Sequence, residues 1–562
     1  MKKLYISLAT SALLYGVDTP PAPSPESVGL QLQKLEEIDK SVKNVKKTAI
    51  VDKLKVDKSI QGKGQNNIKA KTFILKNVSI TGNTIMKNED IIAIVKPFVG
   101  KPVSSVDLKY ISAKITELYK EKGYLTSECI IPAQKVKNGL VRFQIKEDKL
   151  GRIILKGKTT YNYNTNIFMR YLQDLQGKII NANELNTQLK YLSNLPVTRI
   201  RPSLQKTPNG YTNLVLNIEE GQEKFSILCD NSGSRYTGEY RVTLNGNLNN
   251  IMGKSDSLNL SFTTVENPKY LTSFSSSYVT PIGREGARLL FGFSYMYYQL
   301  NPNEVGSDTI IYEGDTSIFS LTFAKPLYIL DNTNISYTYG FEKKSVTSQT
   351  IQNSNGEVLV DGNDETFVLN GSISLSKADK YFTGFPAVTS INFNVKKALE
   401  GFFNSMTQED LTRKENDTTF PISGPIKYGA YLNPSFLKYY YSIKRQQQLP
   451  YSTILNLNFS GNYTKDRVPD SYEYSGGDFG YNYNLSLNKK LWKINSSLSL
   501  SQSKVYTNEL DGSTSSYETS PSMGISLNST YKDIYISASY SSSLDNWDSN
   551  TNNIRYSLRY SW

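Results

Sequence analysis

The sequence predicts an antiparallel β-barrel of about sixteen strands, preceded by two α+β repeats and an amphipathic helix. Three observations carry that expectation. From Phe225 to Trp562 apolar and polar residues alternate in runs such as SLNLSFTTV, ARLLFGFSYMYY and TNISYTYGF, separated by polar turns. Alternation of period two marks strands with one apolar face. Residues 73–220 carry a β-α-α-β-β pattern twice, in about 75 residues each, which is a repeat signal. Composition agrees: tyrosine is in excess at 40 copies, and histidine is absent. Losing histidine removes the commonest general base and a common zinc ligand, which weighs against hydrolases and metalloenzymes.

The first residues, MKKLYISLATSALLYG, read as an export signal over 1–18, with cleavage near Gly16 and a buried N-terminal strand or helix as the alternative. The apolar run is shorter than the roughly 20 residues a spanning helix needs, and no later window comes close. A membrane-spanning form would therefore have to be a closed barrel. Over 24–43, Ser24 can cap a helix and Pro25 suits its first turn. Val28, Leu32, Leu35, Ile38 and Val42 then form one apolar stripe. Residues 44–72 read as a flexible tether. From Lys40 to Lys76 there are eleven lysines against two aspartates, most of the chain's net +13. An electrostatic role against acidic headgroups or a partner stays open.

The first repeat, 73–148, begins with the strand TFILKNVSITGNT and the short helix NEDIIAIVKPFVG. A longer helix follows, with Leu108, Ile111, Ile115 and Leu118 as its buried stripe and Ser104 with Asp107 as a capping pair. The strands SECIIPAQ and LVRFQIKE close the unit. The second repeat, 149–222, places Leu185, Leu189, Leu192 and Leu195 on one helix face and ends in TRIRPSLQKT and TNLVLNIEEG. Cys129 and Cys229 read as small hydrophobes, not as a disulfide. The region 224–562 is the barrel. Strands of roughly ten residues with connections of similar length give about sixteen of them. A water-soluble sandwich would show the same alternation.

The phrase GYLTSECIIPAQKVKNGLVRFQIKE, from Gly123, resembles the first POTRA domain of two-partner secretion transporters, the hemolysin-activator family of the Omp85 superfamily. Gly123–Tyr124, Thr126–Ser127, Pro132, Gln134 and Asn138–Gly139 carry the likeness. The second repeat resembles the family's second POTRA domain. The stretch from Phe225, with Asp230–Asn231, Gly238 and Gly253, is similar to the start of its barrel. The closing IRYSLRYSW, with Leu558, Tyr560 and Trp562 on one face, resembles the signature read by the barrel-assembly machinery.

The resemblance implies a transmembrane barrel of sixteen strands in the bacterial outer membrane, with its POTRA domains in the periplasm. It implies export of a large exoprotein, adhesin- or cytolysin-like, without cofactor, metal, enzymatic step or nucleic acid. Alternatives are a passive channel, a secretion-deficient paralogue or a barrel-assembly insertase. It places client capture on the strand edge around Ile130, Ile131, Pro132 and Gln134 and on the helix bearing Leu185, Leu189 and Leu192. Capture by strand addition suits an unfolded client. The helix over 24–43 would be the family's pore plug.

The family's sixth extracellular loop folds back into the barrel. It begins near Gly-Gly, carries an Arg-Gly-aromatic tip and ends near Gly-Asp-x-Gly. Here SYEYSGGDFGYNY resembles both ends with the centre missing: Gly476, Gly477, Asp478, Phe479, Gly480 and Tyr481 are the remnant. Either the tip is deleted, or DFGY replaces it with Phe479 at the arginine's position. The aspartate that would pair with the arginine aligns with Ser501 in SLSQSKVY. Both ends of the ion pair are expected to be absent, which can be nearly neutral, whereas losing one end costs about 3–5 kcal/mol. An arginine from elsewhere on the barrel wall, such as Arg467, would overturn that expectation.

Overall fold

The computed structural model describes residues 72–562, apart from 158–165, 194, 196–197, 221–222, 307–308, 331, 381–383, 416–421, 425, 427–431, 470–471, 473–476, 493, 509–512, 519–520 and 544–552. The expected export signal, amphipathic helix and tether lie, Thr72 apart, outside the described residues. The described chain forms two compact units, one ending at Gly221 and one holding 222–562.

The N-terminal unit contains both repeats. In the first, β1 (Phe73–Ile74) pairs with β3 (Pro102–Val103). A three-stranded sheet has β5 (Leu140–Lys146) between parallel β2 (Asn77–Thr81) and antiparallel β4 (Glu128–Ile130). Helices α1 (Asn88–Val95) and α2 (Ser105–Glu121) cover one face. The alternation of β5 buries Val141, Phe143 and Ile145, which meet Leu108, Ile111 and Ile115 of α2. Ser104 and Asp107 form the expected capping box, satisfying two orphan amides at the start of α2. The stripe closes on Tyr119 instead of Leu118: Tyr119 is fully buried, and its hydroxyl reaches Asn83 (2.7 Å) and Glu147 (2.8 Å).

The second repeat has the same plan. Central β8 (Tyr211–Glu220) lies between parallel β6 (Lys149–Lys156) and antiparallel β7 (Thr198–Lys206), with α3 (Asn166–Leu172) and α4 (Ala182–Ser193). Its core gathers Phe168, Leu172, Leu214, Leu216 and the leucines of α4.

The C-terminal unit is a closed barrel of sixteen antiparallel strands, from Lys224–Asp230 to Asn553–Ser561. Two short segments add to it. Ile422–Gly424 pairs in parallel with Val360–Gly362, and Thr514–Glu518 pairs with the far end of the thirteenth strand, Ile494–Asn508. The proximal end is where the chain enters the first strand; the other is distal. Outward residues are exposed and apolar, among them Phe291, Phe293, Tyr339, Leu369, Ile373, Ile391, Phe393 and Ile443. Residues alternating with them face the interior, including Glu342, Lys344, Lys396 and Lys438.

The seam between last and first strands has five residue pairs, Ser557–Ser561 with Asp230–Ser226. Distally, Asn231 extends it: its carboxamide donates to the Ile554 carbonyl (2.9 Å) and accepts from the Tyr556 amide (2.8 Å). At the proximal end Phe225 and Trp562 exchange two backbone bonds of 3.0 Å and stack their rings.

Candidate functional site

The expected client edge in the first repeat is shorter than the sequence suggested. Strand β4 stops at Ile130, so Ile131, Pro132 and Gln134 lie beyond it. Gln134 instead uses its carboxamide as a strand would. It donates to the Arg142 carbonyl and accepts from the Arg142 amide, both at 2.8 Å. On β4, the Cys129 amide donates to Thr116 Oγ1 (3.0 Å), and its carbonyl accepts from Ser112 Oγ (2.6 Å). Helix α2 thus satisfies both main-chain groups of the central edge residue. Burial pushes the Cys129 thiol up to about 11, so it is a packed hydrophobe, and both cysteines are free.

The second expected surface is corrected. Leu185, Leu189 and Leu192 are at most 2% exposed and lie inside the core of their own repeat. An amphipathic stripe reports only that one face is buried, and here the sheet beneath α4 buries it. Leu558, Tyr560 and Trp562 are 51%, 46% and 59% exposed on the outward face of the last strand.

The sixth distal loop, 464–478, joins the eleventh strand, Thr453–Tyr463, to the twelfth, Phe479–Leu491. Gly476 lies outside the described residues. Gly477 sits so close to the thirteenth strand that a Cβ there would be 2.5 Å from Val505 Cγ1 and 2.7 Å from the Tyr506 carbonyl oxygen. Asp478 is fully buried and accepts from the amides of Val468 and Asn508, each at 2.8 Å. The reading of DFGY as a substitute tip is corrected: Phe479 opens the twelfth strand, opposite Tyr506, with their rings stacked at 4.9 Å. Gly480 donates to Asn462 Oδ1 (3.1 Å), and Tyr481 packs beside Phe459.

Arg467 donates from Nη1 to the Asn508 carbonyl (2.6 Å), at the distal end of the thirteenth strand. The loop therefore keeps an arginine on that strand, at its end and on a carbonyl. This revises the expectation that arginine contact is lost. Ser501, the expected site of the missing aspartate, shares a hydroxyl bond of 2.8 Å with Ser522. Asp466 ties the loop to its neighbour, accepting from Asn433 Nδ2 (2.8 Å) and the Leu437 amide (2.9 Å).

Among the described residues of this loop, the side chain that enters the barrel is Tyr472, which sequence reasoning missed. It is 2% exposed, and its ring lies 4.8 Å from Phe436 in a cluster with Val368, Ala398 and Val468. Its hydroxyl donates to Glu342 Oε1 (2.7 Å) on the seventh strand, Thr333–Gln352. Its carbonyl accepts from Lys438 Nζ (2.5 Å). Lys344 and Lys396 stand 5.0 and 5.4 Å from its ring centre, and Lys396 lies 3.4 Å from Glu342 Oε2. The ammonium groups offset the half-buried carboxylate and meet the face of the ring. Tyr472 is thus docked into the interior by its bond to Glu342, an aromatic contact and a lysine bond. No local motif announces Tyr472, because its partner is 130 residues away in the chain.

Two family descriptions match this chain: "POTRA domain, ShlB-type" over 73–148, and "Haemolysin secretion/activation protein ShlB/FhaC/HecB" over 210–482. The chain belongs to the ShlB/FhaC/HecB family. Members are transporters, and the barrel is that of an outer-membrane protein. Among relatives, the heme/hemopexin transporter protein HuxB of Haemophilus influenzae strain 86-028NP is 23% identical over 400 residues. That match covers 69% of this chain and 64% of the relative, less than two thirds of its length. The outer membrane transporter CdiB of Dickeya dadantii is 22% identical over 42% of this chain and 40% of its own. The solved structure of CdiB from Escherichia coli matches with a TM-score of 0.67 at 14% identity, covering 96% of this chain and 99% of that one. CdiB from Acinetobacter baumannii gives 0.59 at 17%, covering 95% and 98%. At such identities the likeness speaks for the fold.

Proposed function

We propose that this ShlB-family chain exports a large partner polypeptide across the outer membrane: the two repeats capture it in the periplasm, and the barrel passes it outward. The observation that carries this reading is a closed barrel with Tyr472 of a distal loop docked in its interior, preceded by a POTRA domain. Capture would use the β4 edge. An incoming extended segment would exchange the hydroxyls of Ser112 and Thr116 for its own main-chain groups at Cys129, so the edge stays satisfied before and after. The second repeat would act as a further POTRA domain through a surface other than its buried leucines. Passage would require Tyr472 to leave Glu342 and Lys438. The outward-facing Leu558, Tyr560 and Trp562 would serve recognition by the barrel-assembly machinery and then contact lipid.

The test is co-expression with a large exoprotein from the same genome, measuring that protein in the medium and on the cell surface. Export should depend on this chain. Equal export with and without it, while the barrel is folded in the outer membrane, would refute the proposal.

A further inference from the structure

After the ninth barrel strand, Ala387–Ala398, the chain leaves the sheet and comes back to it. The Leu399 amide donates to the Phe367 carbonyl (2.9 Å), and the Met406 amide donates to the Glu365 carbonyl (2.7 Å). Both acceptors lie on the eighth strand, Val358–Asp379, so residues 400–405 are extruded between two rungs of one ladder. The extrusion sits on the outer wall. Phe367 shares its face with exposed Leu369 and Ile373, yet it is only 5% exposed. The rings of Phe402 and Phe403 cover it, at centroid distances of 4.9 and 5.3 Å.

The covering residues are themselves uncovered: Phe403 is 69% exposed and Phe402 48%. Phe403 and Asn404 hold left-handed backbone conformations, with φ of 49° and 59°, which non-glycine residues adopt at a cost. The surroundings enforce that geometry. Lys343 Nζ donates to the carbonyls of Phe403 (2.9 Å) and Asn404 (3.3 Å) while paired with Glu365. Ser405 donates from its amide to the Phe402 carbonyl (3.1 Å) and from its hydroxyl to that of Leu399 (2.5 Å).

Position along the wall identifies what covers the knob. A run of rings, Phe319, Phe341 and Phe367, leads from the apolar band straight to it. On the seventh strand the outward residues are Ile335, Tyr337, Tyr339 and Phe341, then Lys343, Ser345, Thr347 and Gln349. The change from apolar to polar falls at Lys343, beside the knob. A belt of aromatic rings with a lysine at its rim is what the border between acyl chains and headgroups selects. We propose that Phe402 and Phe403 form a lipid anchor, inserted at the acyl–headgroup border of the distal leaflet and fixing the depth of the barrel there.

The test uses the full chain carrying Phe403→Trp, reconstituted in phosphatidylcholine vesicles, with the parent protein's emission subtracted. Lipid brominated near the top of the acyl chain should quench most of the added signal, and aqueous iodide should quench little. Quenching by iodide without quenching by brominated lipid would place the ring in water and overturn the proposal. Quenching by neither would mean the ring is covered by protein, and would also overturn it. Phe402→Trp, read the same way, must agree, and heat-modifiable migration of both variants verifies the folded barrel.

Discussion

Substituting Tyr472 by phenylalanine removes one hydroxyl and leaves the ring in place. That hydroxyl donates to Glu342 at 2.7 Å, and Glu342 keeps Lys396 at 3.4 Å, so no charge is left unpaired. A hydrogen bond to a charged acceptor contributes about 1.5–3 kcal/mol. At about 1.4 kcal/mol per tenfold, the docked-to-undocked ratio of the loop should fall roughly ten- to a hundredfold. Tyr472→Ala also deletes a ring that is almost fully buried against Phe436, a further loss of about 3–5 kcal/mol. Single-channel recording in planar bilayers reads the consequence as time spent open. The expected order is parent, then Tyr472→Phe, then Tyr472→Ala, each more open than the last. In the double variant with Glu342→Gln the two effects should couple by about 0.5–3 kcal/mol. If Tyr472→Phe and Tyr472→Ala both record like the parent, the docked tyrosine does not control the pore.

Three further outcomes are expected. Leu189→Ala should lower the unfolding free energy of the N-terminal unit by about 2–5 kcal/mol in a denaturant melt of the full chain, because Leu189 is core; a stability-neutral variant that binds client less would restore the surface reading. Burial raises the Asp148 carboxyl above its ordinary value, with Thr212 and Lys206 pulling the other way. Asp148 therefore supports the fold most when protonated, below its unfolded value, and that support is lost as pH rises through the folded one. Asp148→Asn should raise the melting temperature at neutral pH, with the gain vanishing in acid; an equal shift at all pH values would refute this. Gly477→Ala must push a methyl into Val505 and the Tyr506 carbonyl, costing about 1–3 kcal/mol, seen as barrel unfolding at lower temperature in heat-modifiability gels.

Alternation carried the strands, since a strand's side chains must switch faces whatever lies at either side, and the family resemblance carried their closure into a barrel. It said nothing of where strands end. Thus the expected strand Ser127–Gln134 closes at Ile130, because the Gln134 carboxamide takes over the pairing by a bond no propensity encodes. The stripe of Leu185, Leu189 and Leu192 was legible as apolar, but a stripe cannot say whether a sheet or a client covers it. Asp478, Gly477 and Phe479 were visible as a motif, yet their work is to close the loop base and start a strand. The residue that enters the lumen, Tyr472, sits among the chain's many tyrosines. Its meaning depends on lysines and a glutamate brought near only when the sheet curls shut.

One bond pattern at the distal end bears on how opening proceeds. Asn433, in the fifth distal loop, donates from its side chain to Asp466 and from its amide to the Arg467 carbonyl (2.9 Å). Lys438, just past that loop, holds the Tyr472 carbonyl. Withdrawing either loop alone would break these bonds, so the two are expected to move together. Current through this barrel should therefore jump between two levels like a telegraph signal, without the graded substates that independently fluttering loops would produce.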